Sequence, residues 1–162
     1  MNVVLVRVDD RFIHGQILES WIPHLKAQGV IVVNDMLACD QIQKTIMSMA
    51  IPDRIRLKIV GHEDALHLVD DCELQEKKCL VIVASIHDAW RLFNDGFVFT
   101  RLNIGNNKAA GPSKQISYSV WVNEEDLGLV RNLIDRGIDV TLQSVPRERL
   151  IDMKSIIEMV DA

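Results

Sequence analysis

Runs of aliphatic, β-branched residues alternate with amphipathic stretches along the whole chain, and the connections between them are short. Val3-Val4-Leu5-Val6-Arg7-Val8, Val30-Ile31-Val32-Val33, residues 57–60 and Leu80-Val81-Ile82-Val83-Ala84 read as strands, the second buried by its unbroken β-branched content. Ile17, Leu18, Trp21, Ile22 and Leu25 recur at helical spacing over residues 15–27. Pro23 should kink or shorten that helix, because proline lacks an N–H and clashes with the carbonyl of Glu19. Residues 40–50 predict a helix stopped before Pro52, residues 62–70 a second with Ala65, Leu66 and Val69 on one face, and residues 86–94 a third ending at Gly96. Residues 101–104, 116–122 and 140–145 give further strands, with a loop over 105–114. Asn123, with Asp126 three positions on, caps a helix that runs to Arg136 and closes at Gly137, and Leu150, Ile151, Ile156, Ile157 and Val160 place a last helix at the end. About seven strands and about six helices joined this tightly predict an α/β fold, a three-layer α/β/α sandwich with a mostly parallel sheet covered on both faces.

A chain of 162 residues that is 48% hydrophobic can build one sizeable core, so a single domain over residues 1–162 is expected. No apolar stretch reaches the roughly 20 residues of a membrane span, and Asp9, Asp10 and Arg11 follow the apolar start too soon for a signal peptide. A cytoplasmic protein is the expectation. Cys39, Cys72 and Cys79 are odd in number and lack C-x-x-C spacing, which speaks against disulfides and zinc and for buried thiols. A net charge of -5 and 5% aromatic content argue against a nucleic-acid surface.

The chemistry concentrates at Asp9-Asp10-Arg11-Phe12-Ile13-His14-Gly15-Gln16-Ile17, where the first strand gives way to the first helix. Ligands of open parallel sheets gather at the carboxyl ends of the strands, where helix N-termini offer free N–H groups. A neutral imidazole nitrogen can attack a phosphoryl group if the other nitrogen is oriented and the incoming charge is neutralised. Arg11 has the fork of donors for that charge, and Gly15 lets the backbone approach. Asp9 and Asp10 either orient Arg11 or the ring, or serve as turn residues bonded to their own backbone. His24, His62, His67 and His87 have surface or capping settings, and His62 and His67 stand five apart, not the four that would aim both at one metal. An acidic pair after a first strand also resembles the magnesium site of receiver domains, but the third strand ends in Ile59-Val60-Gly61 without their acceptor aspartate. No metal site or cofactor is expected. Neither G-x-G-x-x-G nor a P-loop occurs.

The stretch from Val8 to Gln16 closely resembles the active-site loop of IIB subunits of the mannose/fructose/sorbose class of the bacterial phosphotransferase system. Val32-Val33-Asn34-Asp35, Ala38, Gln43-Lys44, Met49-Ala50-Ile51-Pro52, Leu102-Asn103-Ile104-Gly105-Asn106 and Gln143-Ser144-Val145-Pro146 resemble later landmarks of that family, in order, across essentially the whole chain. The resemblance implies an α/β sandwich and a phosphocarrier. His14 would accept a phosphoryl group at Nδ1 from a histidine of a IIA protein and pass it to a sugar delivered by membrane IIC and IID subunits. Arg11, Gly15 and Gln16 would bind the phosphate, supported by Asp9 and Asp10. Phe12 stands where leucine is common, Pro23 interrupts the first helix and Asn106-Asn107 replaces a common Gly-Met; none removes a residue the chemistry needs. The alternative is a regulatory phosphohistidine module that binds a protein without phosphorylating sugar. An apolar group of Leu92, Phe93, Phe97 and Phe99 belongs either to the core or to a homodimer contact.

Overall fold

The computed structural model describes all 162 residues. The chain runs through β1 (Asn2–Asp9), a π-helical turn (Ile17–Trp21) continuous with α1 (Ile22–Leu25), β2 (Gly29–Val33), α2 (Asp35–Ala38), α3 (Gln41–Ala50) and β3 (Arg56–Val60). There follow α4 (His62–His67) with a 3-10 turn (Leu68–Asp70), β4 (Lys78–Val83), α5 (Ile86–Asn94), β5 (Arg101–Asn106), β6 (Lys114–Ser117) and β7 (Val120–Val122). The last elements are α6 (Glu124–Asp135), β8 (Asp139–Leu142), β9 (Ile151–Asp152) and α7 (Met153–Asp161). Seven strands form one sheet in the order β3-β2-β4-β1-β5-β8-β9, parallel throughout except where β9 runs against β8.

The β-branched runs become the central strands because both faces are covered. Every residue of β2 is buried, and Val81, Ile82 and Val83 of β4 have no exposed surface. On one face Ile86, Ala89 and Leu92 of α5, Leu127, Val130 and Leu133 of α6 and Met153 and Ile157 of α7 close over Val6, Val8, Ile104 and Val140. On the other, Ile17, Trp21 and Ile22 of the first helix pack with Ile51 and Ile55 against Leu5, Val30, Leu80 and Ile82. Pro23 acts as its chemistry requires. The Ile22 N–H reaches five residues back to the Ile17 carbonyl, widening the turn before the proline, and the helix ends at Lys26 with φ +52°.

Several elements depart from the sequence reading. The stretch 116–122 is not one strand but the arms of an antiparallel hairpin, β6 and β7, a second small sheet bridged to Asn107 just beyond β5. Its turn is fixed from outside, where the Ser119 hydroxyl donates to the Gly105 carbonyl at 2.6 Å. β5 extends through Asn106, two residues beyond the expected end, and β8 stops at Leu142. The two-residue β9 precedes α7, and the short α2 appears because Asn34 accepts a hydrogen bond from the Leu37 N–H. Cys79 is buried, but Cys39 and Cys72 are exposed, contrary to the expectation for all three. Leu92, Phe97 and Phe99 lie in the core and Phe93 packs edge-on to Phe99, in keeping with the core reading of this group.

The Asn123 cap is as expected and reciprocal: its side chain accepts from the Asp126 N–H at 2.8 Å, while the Asp126 carboxylate accepts from the Asn123 N–H. Asn123→Ala should therefore lower stability by about 1 kcal/mol. Urea unfolding would show it as a lower midpoint at unchanged slope; an unmoved midpoint would mean that water serves those N–H groups as well.

Candidate functional site

The connection after β1 leads toward β2 and the one after β5 leads toward β8, on opposite sides, so a crevice opens where β1 and β5 end side by side. Asp9 is the last residue of β1 and is fully buried there. The loop turns at once, with the Phe12 N–H on the Asp9 carbonyl at 3.1 Å and Phe12 itself at φ +56°. The His14 carbonyl then accepts from the Ile17 and Leu18 N–H groups, both at 3.0 Å, and starts the first helix. Gly15 and Gln16 occupy its opening turn, where N–H groups have no helical acceptor. The space a Cβ on Gly15 would enter is open.

Asp9 is the hub. Its Oδ2 faces the His14 Nε2 at 2.8 Å and accepts from Arg7 Nη2 at 3.0 Å, while Oδ1 accepts from the backbone N–H and the Nε of Arg11, both at 3.2 Å. Arg11 also donates through Nη2 to the Gln16 side-chain oxygen at 3.0 Å. Burial pushes the Asp9 carboxyl up, but the His14 hydrogen bond and the positive charge gathered around it, that of Arg7 foremost, outweigh it and bring it down to about 2. A carboxylate accepts only, so His14 donates through Nε2, and in the neutral ring the lone pair is then on Nδ1.

The structure thus brings together Asp9, Arg11, His14 and Gln16, with Gly15 beside them. Asp10 is separate. It lies just past the end of β1, in the turn, and faces the Asn106 amide and Lys108 Nζ at 3.8 Å, tying the loop to the end of β5. Of the other histidines, His24, His67 and His87 are exposed. His62 is not at the surface: it is 3% exposed, with its ring nitrogens 3.5 Å from Asp35 and 3.7 Å from Asp88. No cluster of three or more His, Cys, Asp or Glu side chains is arranged to hold a metal ion.

Arg7, Asn103, Gln143, Ser144 and Trp21 belong to the same network and were not legible as site residues. Arg7 is fully buried, 4.8 Å above the Trp21 ring, and bonds Asn103 and the carbonyls of Gln143 and Ser144. Trp21 Nε1 donates to the Ser144 carbonyl at 2.9 Å. Burial lowers the Arg7 guanidinium to about 10, partly restored by Asp9, so it stays charged. The signal was an arginine inside an otherwise apolar, two-face-buried strand, which demands a buried partner. Gly105 is its counterpart, because a Cβ there would enter the space of the Arg7 guanidinium.

Fold and site together define a doubly wound α/β domain with a carboxylate-held histidine at its switch point. The chain belongs to the phosphotransferase-system family described as "PTS system sorbose subfamily IIB component", whose sequence model matches residues 3–161. It is 30% identical over 160 residues to the fructose-specific EIIB component of Bacillus subtilis strain 168, covering 99% of this chain and 98% of that one. It is 26% identical over 161 residues to the mannose-specific EIIAB component of Escherichia coli K12, spanning 50% of that longer protein and 99% of this chain. The crystal structure of the IIBSor domain of the sorbose permease from Klebsiella pneumoniae superposes with a TM-score of 0.88 at 26% identity, over 98% of each chain. No helix is long and apolar enough to cross a membrane.

Gly105→Ala should cost about 1–3 kcal/mol by overpacking against Arg7, read as a lower urea midpoint; a change below about 0.5 kcal/mol would mean that the guanidinium can move aside. The Asp9 carboxyl is depressed on folding, from 3.8 to about 2. Its contribution, roughly 2 kcal/mol, is therefore present above the unfolded value and lost as pH falls toward the folded one. Stability measured between neutral pH and that range should fall less steeply in Asp9→Asn than in the wild type.

Proposed function

We propose that the chain is a phosphocarrier whose His14 Nδ1 accepts a phosphoryl group from a phosphohistidine of a IIA protein and passes it to a sugar. The observation that supports this is the hydrogen bond from Nε2 to Asp9, which in the neutral ring puts the lone pair on Nδ1. The His14 side chain is 18% exposed. Its setting at the carboxyl ends of β1 and β5 suits a protein donor, and a cavity of about 420 Å³ between Val3, Leu66, Phe97 and Phe99 lies at the opposite ends of those strands.

In the step itself the Nδ1 lone pair forms a bond to phosphorus while the donor's P–N bond breaks and its electron pair returns to the donor ring. The phosphorylated His14 ring keeps its Nε2 proton and gains positive character, which the Asp9 carboxylate neutralises. Arg11 has guanidinium donors left for the phosphate oxygens, and the Gly15 and Gln16 N–H groups add a helix start. Asp10 supports the loop from outside through Asn106.

The relatives' names support the choice of partners. One joins an A and a B component in a single chain, which supports a IIA donor, and the others specify fructose, sorbose and N-acetylgalactosamine, which supports a sugar as final acceptor. With membrane IIC and IID subunits the chain acts as a sugar phosphotransferase on the cytoplasmic side.

Incubation with phosphoenolpyruvate, the general phosphocarriers and a mannose-class IIA protein, followed by intact-mass analysis, tests this. One acid-labile phosphate should appear on wild type and none on His14→Ala. An unlabelled wild type beside a fully labelled IIA protein would overturn the reading, and equal labelling of His14→Ala would overturn the assignment of the site.

A further inference from the structure

Arg7 takes no part in that step, yet all five of its guanidinium N–H groups have a partner and none of the residue reaches solvent. Nε and Nη2 reach Asp9 Oδ2 at 3.3 and 3.0 Å, Nη2 also reaches the Ser144 carbonyl at 3.0 Å, and Nη1 reaches the Gln143 carbonyl at 3.1 Å and the Asn103 side chain. The carboxylate it grips is the one that holds His14. That coincidence has a chemical consequence.

A buried carboxylate 2.8 Å from Nε2, left to itself, would favour a second proton on the ring, because an opposite charge at that range favours the charged form. A ring protonated on both nitrogens has no lone pair with which to attack phosphorus. Arg7 sets a permanent positive charge against the same Oδ2 and offsets that pull. Arg11 does the same at Oδ1, but its side chain is 43% exposed, so water weakens its effect. The other charged groups nearby are Glu148, whose field acts on Arg7, and Asp10, which is engaged by Asn106 and Lys108. From β5 the neutral Asn103 faces Nη1, and the Trp21 ring closes the remaining side.

We propose that Arg7 is a positioning residue for phosphate acceptance: acting through Asp9, it keeps the His14 ring neutral, with the proton on Nε2 and the lone pair on Nδ1. The inference rests on His14 being the acceptor. It goes beyond that reading in naming a residue, never in contact with phosphate, that sets the pH range of the reaction.

Nitrogen-15 spectra of the histidine ring in the free protein test it without any donor. Wild type should show the neutral Nε2–H form at neutral pH, and folded Arg7→Met should show a doubly protonated ring there. The pH at which phosphate acceptance is half-maximal should rise by about one unit in that variant. Arg7→Lys, which keeps a cation at Asp9, should restore most of the wild-type profile. Asn103→Asp keeps the shape of Asn103 and sets a carboxylate against Nη1, so it should give the same upward shift and serves if Arg7→Met does not fold. A doubly protonated ring in the wild type, or an unchanged ring state in a folded Arg7→Met or Asn103→Asp protein, would overturn the proposal. A ring that responds to these variants in a protein that takes no phosphate would uphold the coupling and sink only the acceptor reading.

Discussion

Two opposite charges, Arg7 and Asp9, are buried without exposure 3.0 Å apart, and much of the surrounding architecture follows from them. Removing either ion from water costs several kcal/mol, and their attraction repays this only when the remaining donors and acceptors are also satisfied. Five hydrogen bonds to four residues meet that condition for Arg7, drawn from β1, β5 and the segment after β8. The guanidinium needs flat space beside β5, and Gly105 provides it. The carbonyls of Gln143 and Ser144 turn inward to accept from it, so β8 ends at Leu142 rather than at Val145. The ion pair thus shapes the strand ends that frame the crevice.

The framework was legible because its signals are local. The β-branched runs, the Pro23 break and the Asn123 cap each act within a few residues, and each has the predicted effect. The hairpin was not legible, since Ile116, Tyr118, Val120 and Val122 keep one apolar alternation while the turn that breaks it is set by Ser119 on Gly105. Nor was the two-residue β9, which is too short to carry a pattern.

The site was legible in its residue types but not in its wiring. Asp9 and Asp10 are identical in the sequence; the end of β1 falls between them, so one faces His14 and Arg7 from the strand and the other meets Asn106 from the turn. Arg7 could not be assigned to the site from the sequence because, Asp9 apart, its partners lie 96 to 137 positions away. His62 shows the converse, a residue with a helix-start setting that tertiary packing buries between Asp35 and Asp88. Contacts at such separations leave no periodic trace.

The two arginines on one carboxylate differ in a way the proposed chemistry can use. Arg7 is sealed in, with every donor spent, so its charge is fixed and cannot follow a ligand. Arg11 holds Asp9 through Nε and Gln16 through Nη2, and its partly exposed fork keeps donors free for an arriving anion. With neutral His14, one carboxylate between two guanidinium groups leaves the pocket with a net charge of about +1 before a phosphoryl group arrives. Arg11 alone would do both tasks weakly: water screens its hold on Asp9, and a guanidinium drawn away by the phosphate would release Asp9 to draw a proton onto Nδ1. Burying one cation and exposing the other separates the control of the nucleophile from the neutralisation of its cargo.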